Sequence, residues 1–301
     1  MIFGELQRSN ELNQDDMARQ KGIIKLQGTI GDVSFYKSKD GYLAREKGGV
    51  DGDRIKNDPA FQRTRENGSE FGRAGKAGKL IRTAFRPLLL KTSDSKVASR
   101  LTKQLMIVLQ SDEDNSRGER TVSNGNLDLI QGFDFNAAGR LEATLYAPYE
   151  VSFDRAAGTA SIDIPEFIPA NSLAYPQGAT HLKMVAALSE VNFENDEFTF
   201  NLAESADVEI GNVATGPLEL DLAFNANSEE VLLVAFGIDF YQSVNGQMYA
   251  MKNGGFNCLA LVEVGVQHPV AGGCFPVFHF GTATYQPAIA LKVVVELLGL
   301  Q

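Results

Sequence analysis

The 301-residue sequence predicts an α+β fold that is mainly β: an N-terminal β-hairpin and two helices, then an antiparallel β-sandwich region, one large sandwich or two small ones. Three observations carry this. Asp40-Gly41 and Asn245-Gly246 each stand between strand-like apolar runs, and such dipeptides supply the positive φ that tight hairpin turns need. Val97, Leu101, Leu105, Val108 and Leu109 recur at intervals of three and four, the spacing of one helix face. Beyond Thr121 short apolar runs alternate with turn residues, the texture of an antiparallel sandwich.

In chain order, residues 1–21 read as a polar arm, too poor in apolar groups to offset the entropy of ordering by themselves. Residues 22–120 read as a basic hairpin-helix domain. Ile30, Val33 and Phe35 are spaced for one strand with a glycine irregularity at Gly31, and Tyr42-Leu43-Ala44-Arg45 is the return strand. A two-stranded hairpin is marginal in water, so it must lie on another surface. Asn57-Asp58-Pro59 is a helix start, with Asp58 as the cap and Pro59 at the first helical position. That helix runs to about Leu90 and carries Gly68, Gly72, Gly75 and Gly78. Interior glycine costs about 1 kcal/mol relative to alanine, so the stripe predicts a face on which another backbone packs closely. The second helix follows Ser93-Asp94 and ends at the acidic turn Ser111–Asn115. Residues 121–301 read as the acidic sandwich, with strands expected at 126–135, 141–153, 159–164, 181–193, 197–202, 207–213, 217–224, 231–241, 247–251, 257–266, 275–280 and 289–298.

Charge divides along the same line. Residues 17–120 hold 22 Lys/Arg against 13 Asp/Glu, whereas residues 121–301 hold 5 against 21. One half is fitted to an anionic surface and the other resembles one, so copies of the chain could attract each other head to tail. The N-terminus has no basic segment leading into an apolar run, and no stretch of about 18 apolar residues occurs, which predicts cytoplasmic synthesis without a signal peptide and no membrane span. Presence in a particle or a released assembly stays compatible with that. Two cysteines in a chain of this length do not make a disulfide framework.

No catalytic pattern survives a check of spacing, and the sequence predicts no cofactor. Gly75-Lys76-Ala77-Gly78-Lys79 resembles a phosphate loop, but that pattern needs Gly where Arg73 stands and Ser or Thr where Leu80 stands. Cys258, His268, Cys274 and His279 have the donors of a zinc site but not the compact pairs that bring them together. Acidic pairs such as Asp196-Glu197 and Glu229-Glu230 read as solvated turn faces. The interaction residues that stand out are Arg63, Arg65, Gly72, Gly75, Lys76, Gly78, Lys79 and Arg82, a basic helix with a glycine face. Interspersed acids, an acidic whole and aromatics placed as a helix core would use them argue against nucleic acid as the partner.

The stretch Met17-Ala18-Arg19-Gln20-Lys21-Gly22, Gly28-Thr29-Ile30-Gly31-Asp32, Ser34-Phe35-Tyr36 and Gly41–Val50 resembles the opening of a family of uncharacterised Bacteroidota proteins. More loosely, the Gly28–Gly31 hairpin, the Asn57-Asp58-Pro59 turn and the Gln62-Arg63…Phe71 helix are similar to small proteins of phages and mobile elements. The resemblance implies a fold module and a phage-like or assembly setting, and no reaction. The expectation is therefore a non-enzymatic structural protein that self-assembles as a component of a phage-like particle, tube or filament, its partners being further copies and other assembly subunits. The alternative is a binding module, with a ligand site on the sandwich and a basic nucleic-acid-binding helix.

Overall fold

A computed structural model describes residues 17–46 and 49–267, with more strand than helix. The chain divides into two compact units, one ending at Arg65 and the other beginning at Glu66. The strands expected at 275–280 and 289–298, and three of the four residues weighed as zinc donors, Cys274, His268 and His279, lie outside the described residues.

The first unit is a four-stranded antiparallel sheet followed by helical turns. Its strands are β1 (Met17–Arg19), β2 (Gly28–Ile30), β3 (Val33–Ser38) and β4 (Gly41–Glu46), in the order β1-β4-β3-β2. The hairpin expected at Asp40-Gly41 is present one residue earlier: Ser38 pairs with Gly41, so Lys39-Asp40 form the turn and Gly41, at a φ of +112°, opens β4. Gly31 differs from expectation. Ile30 pairs with Val33, so Gly31-Asp32 is a two-residue turn between β2 and β3, and Gly31 takes the φ of +58° that such a turn requires. Residues 17–19 differ too: expected in a polar arm, they pair with β4 as an edge strand. Gln20 secures that edge, its Nε2 donating to Leu43 O at 3.0 Å and its Oε1 accepting from Leu26 N at 2.8 Å. After α1 (Gly52–Asn57), Asp58 caps a single 3-10 turn by accepting from Ala60 N at 2.9 Å. No described residue of this unit is buried, and Ile23, Ile24 and Ile30 are 102%, 81% and 62% exposed. Among the described residues the sheet has ladders and turns but no core.

The second unit has three layers. α2 (Gln62–Ala84) leads into the short α3 (Arg86–Leu89), which Pro87 opens, and α4 (Val97–Gln110) follows. Ala74, Ala77, Leu80, Ile81 and Ala84 of α2 and Leu101, Leu105, Val108 and Leu109 of α4 are buried, as their periodicity requires. The acidic turn after α4 is built around one carboxylate. Asp112 is 1% exposed and accepts from the backbone of Asp114, Asn115 and Thr121 and from the Asn115 side chain. Of the strands expected at 126–135 and 141–153, the first holds a 3-10 turn, Leu127–Ile130, and the second begins as the helix α5 (Leu141–Thr144) and becomes strand only from Glu150.

Strand structure then follows: β5 (Glu150–Asp154), β6 (Thr159–Ile164), β7 (His181–Asn192), β8 (Glu197–Phe198), β9 (Asn201–Glu204), β10 (Val208–Glu209), β11 (Leu218–Ala223), β12 (Val231–Val244), β13 (Gln247–Ala250) and β14 (Cys258–Gly265). β7 and β12 pair antiparallel from Val231↔Val191 to Tyr241↔His181 and form the middle of the large sheet. β8, β9 and β10 continue it beyond β7, while β13 and β14 pair with the other side of β12. A small sheet of β11, β6 and β5 is the second layer.

Both faces of the large sheet are covered. Val185, Ala187, Leu233, Ala235, Leu259 and Leu261 share one core with the buried faces of α2 and α4. Met184, Ala186, Val234, Phe236, Ile238 and Ala260 share another with Ile162 and Ile164 of β6 and Leu220 and Leu222 of β11. Successive strand residues point to opposite faces, so a strand buried on both reads as an unbroken apolar run, as Val231–Gly237 does. The helices expected to form a domain with the hairpin thus share a core with the sheet, and the division between units falls inside α2. Phe236 lies fully buried against Tyr149, ring centroids 5.1 Å apart, and truncating such a side chain to alanine costs about 3–5 kcal/mol.

Candidate functional site

The end of the β7–β8 hairpin gathers polar side chains around a cleft. Asn192, the last residue of β7, accepts through Oδ1 from the backbone of Glu194 and Asn195, which folds the turn. Asp196 completes it at a φ of +59°, a left-handed position that aspartate tolerates. The turn brings Asp196, Glu197, Phe198 and Thr199 beside Glu190 and Asn192, and Asn225 and Glu230 close the far side. Together they line a cleft of about 570 Å3. Four of its eight lining residues are carboxylates and none is a cation.

Glu190 is the unusual member. It stands near the end of an apolar strand and is 4% exposed. Its Oε2 accepts from Thr199 Oγ1 at 2.8 Å and from Asn225 Nδ2 at 2.7 Å, both residues of the cleft. Oε1 has no hydrogen-bond partner among the described residues. A buried carboxylate oxygen left unpaired is costly, so such groups call for an explanation. Arg155 is the cation whose field reaches Glu190, but its guanidinium is held by carbonyls, Ser228 O at 2.7 Å, Glu230 O at 3.3 Å and Gly265 O at 2.8 Å. Burial lowers the Arg155 pKa and the Glu190 charge opposes that shift. On the rim, Asn192 Nδ2 donates to Glu230 Oε1 at 2.8 Å, and Lys76 Nζ reaches Asp196 Oδ2 at 2.6 Å. The site attracts positive charge and repels anions.

A second cleft, of about 480 Å3, has the opposite lining: Arg100, Lys103 and Arg140 with Ile107, Leu129 and Phe133. Both guanidinia are committed, Arg100 to Asp94 at 2.6 Å and over the Phe133 ring at 5.0 Å, and Arg140 to Asp134 at 3.2 Å.

The interaction residues expected from the sequence are dispersed in role. Arg65 donates to Ile55 O and Asp58 O, Lys76 pairs with Asp196, and Arg82 bonds Gly78 O within its own helix. Arg63 and Lys79 are exposed. The glycine face is mostly open within the chain. A side chain at Gly68, Gly72 or Gly75 would meet nothing within 4 Å, and Gly78 alone of the four packs, its would-be Cβ 3.3 Å from Leu105 Cδ1 on α4. Within the chain the stripe is therefore open except at its last member. Glu190 was not among the expected residues. The signal for it is a glutamate inside the apolar run Val185–Val191, which a strand buried on both faces can hold only with partners.

Among the described residues no group of three or more His, Cys, Asp or Glu is arranged to hold a metal ion, and no helix is long and apolar enough to cross a membrane. Cys258 is buried, which pushes its thiol up to about 12. No family model matches the chain, and neither does any curated protein or solved structure.

Proposed function

We propose that the protein is a non-enzymatic structural subunit that associates with further copies of itself, as a component of a larger regular assembly such as a phage-like particle, tube or filament. The observation that carries this reading is the first unit: a four-stranded sheet with no buried described residue. Sheets gain their stability by burying a face, and one whose described residues bury none calls for a surface to lie on. Charge supports a second copy as that surface. Residues 17–65 hold 11 Lys/Arg against 6 Asp/Glu, while residues 66–301 hold 16 against 28. Opposite patches on one chain favour head-to-tail contact, which continues unless the rotation closes a ring.

The test is the mass of the purified full chain by light scattering across protein and salt concentration. A mass well above the 32.7 kDa of one chain at low salt, falling as added salt screens the attraction, is expected. A single-chain mass under all conditions, with amides of residues 17–46 exchanging as in an unfolded peptide, would remove the basis of the reading.

The binding-module alternative keeps one specific support, the acidic cleft. Its nucleic-acid version is weakened by the engagement of Arg65 and Lys76 within the chain, since phosphate binding draws on free cations.

A further inference from the structure

We infer that the acidic cleft of the second unit is a binding site for an organic cation, an alkylammonium or guanidinium group that completes the coordination of Glu190. The inference concerns the cleft alone and holds whether or not copies of the chain associate. Three observations lead to it. Glu190 is all but fully buried, and its Oε1 lacks a hydrogen-bond partner, while Oε2 is anchored by Thr199 and Asn225 of the same cleft. The carboxylate is therefore held in place with one acceptor oxygen to spare. The other carboxylates, Asp196, Glu197 and Glu230, ring the same space, so a donor entering it carries positive charge at the least cost.

Size and lining decide which cation. A volume of about 570 Å3 falls within the range of small-molecule pockets, far beyond the space a bare metal ion fills. No described acidic cluster has the convergence that a metal requires. Phe198, 39% exposed, is the aromatic of the lining, and a ring of this kind attracts ammonium and guanidinium groups through its face. A guanidinium presents several donors in a planar fork and can satisfy Glu190 together with a rim carboxylate, which an ammonium does with three donors from one point. Arg155 does not fill this role, because its donors are spent on carbonyls. Lys76 meets the rim at Asp196, not at Glu190.

The source of the cation is either a free amine or a Lys or Arg side chain of a second copy, and one set of measurements separates them. Agmatine and cadaverine are titrated into the full chain at low salt, with sodium chloride of equal ionic strength as control, and binding is read by calorimetry and by the rise in melting temperature. Saturable binding is expected, weaker by about tenfold or more in Glu190→Gln, since a charge-assisted hydrogen bond is replaced by a neutral one. The double substitution Glu197→Gln/Glu230→Gln removes rim charge without touching the buried carboxylate, and should weaken binding even if Glu190→Gln folds poorly. If agmatine also lowers the mass of associated copies, and Glu230→Gln does the same, the natural occupant is a side chain of a second copy. If association is unchanged while agmatine binds, the occupant is a free cation. Association that neither agmatine nor the substitutions affect, with no binding beyond the sodium chloride control, overturns the cleft as a cation site and leaves self-association standing. Stabilisation by calcium or magnesium chloride alone, or amine binding unaltered in both variants, overturns it equally.

Discussion

Lys91 Nζ lies 3.3 Å from Asp239 Oδ2, and it is this pairing that ties the segment after α3 to the central strand β12. The same ammonium is 2.7 Å from Glu204 Oε1 on β9. Asn257 completes the junction: its Nδ2 donates to Asp239 Oδ1 and to Lys91 O, each at 2.9 Å, while its Oδ1 accepts from Phe240 N. Gly254, at a φ of +78°, passes so close to Lys91 O that a side chain there would collide with it. Burial raises the Asp239 pKa, and Lys91 opposes that rise. Burial alone would lower the Lys91 pKa, but Glu204 and Asp239 outweigh it and hold the ammonium protonated.

Replacing Lys91 by Met should therefore destabilise the fold by about 1–3 kcal/mol at pH 7, less than the loss of a fully buried partner because Lys91 is 37% exposed. The sign with pH is specific. A carboxyl whose folded pKa stands above its ordinary 3.8 binds its proton more tightly in the folded state, so stability falls as pH rises from 3.8 through the folded value. Without Lys91 that folded value climbs further. Denaturant melts of Lys91→Met should show stability recovered on going from neutral to mildly acid pH relative to wild type, and the double variant with Asp239→Asn should lose that recovery.

Asp112 makes the opposite prediction. Burial pushes its pKa up, but the hydrogen bonds from Thr121, Asn115 and Asp114 outweigh burial and hold it below 3.8. Its contribution is present above pH 3.8 and is lost as the pH falls through the lower folded value. Asp112→Asn should cost about 1–3 kcal/mol at pH 7, because a carboxylate accepting several donors becomes an amide that turns two donors of its own toward them. Melting curves at pH 7 and pH 3 should show the gap between wild type and variant shrinking in acid.

The glycines of α2 give a prediction in two signs. Gly75→Ala enters open space and should raise stability by up to about 1 kcal/mol through helix propensity. Gly78→Leu presses against Leu105 and should cost about 1–3 kcal/mol by overpacking. Thermal melts of the two variants decide the matter within one chain. If Gly75→Leu leaves the fold intact but lowers the mass of associated copies, the open stripe is an intermolecular contact.

What the sequence revealed followed the strength of its local signals. Asn245-Gly246 turned where expected, both residues at positive φ, whereas the Asp40-Gly41 hairpin turns one residue earlier, at Lys39-Asp40, with only Gly41 at positive φ. The stripe Leu101, Leu105, Val108 and Leu109 was buried because its period matches a helix. Residues 126–135 and the first part of 141–153 misled because short apolar runs do not distinguish strand from a helical turn, and Leu127 and Ile130 pack from a 3-10 turn. That α2 and α4 cover the large sheet lies in the pairing of distant faces, which no local pattern records. The cleft was hidden for a similar reason. Glu197 and Glu230 stand where solvated turn residues stand, and only the fold brings them beside Glu190.

The shared core of helices and sheet has a consequence for synthesis. Leu101, Leu105 and Val108 leave the ribosome long before Leu259 and Leu261, the strand residues that complete their core. At about 5–20 residues per second, the apolar face of α4 waits roughly ten to thirty seconds for its cover. During that interval the nascent chain presents a ready-made helix with nowhere to put its leucines, and holding it out of trouble falls to whatever shields emerging polypeptides in the cell.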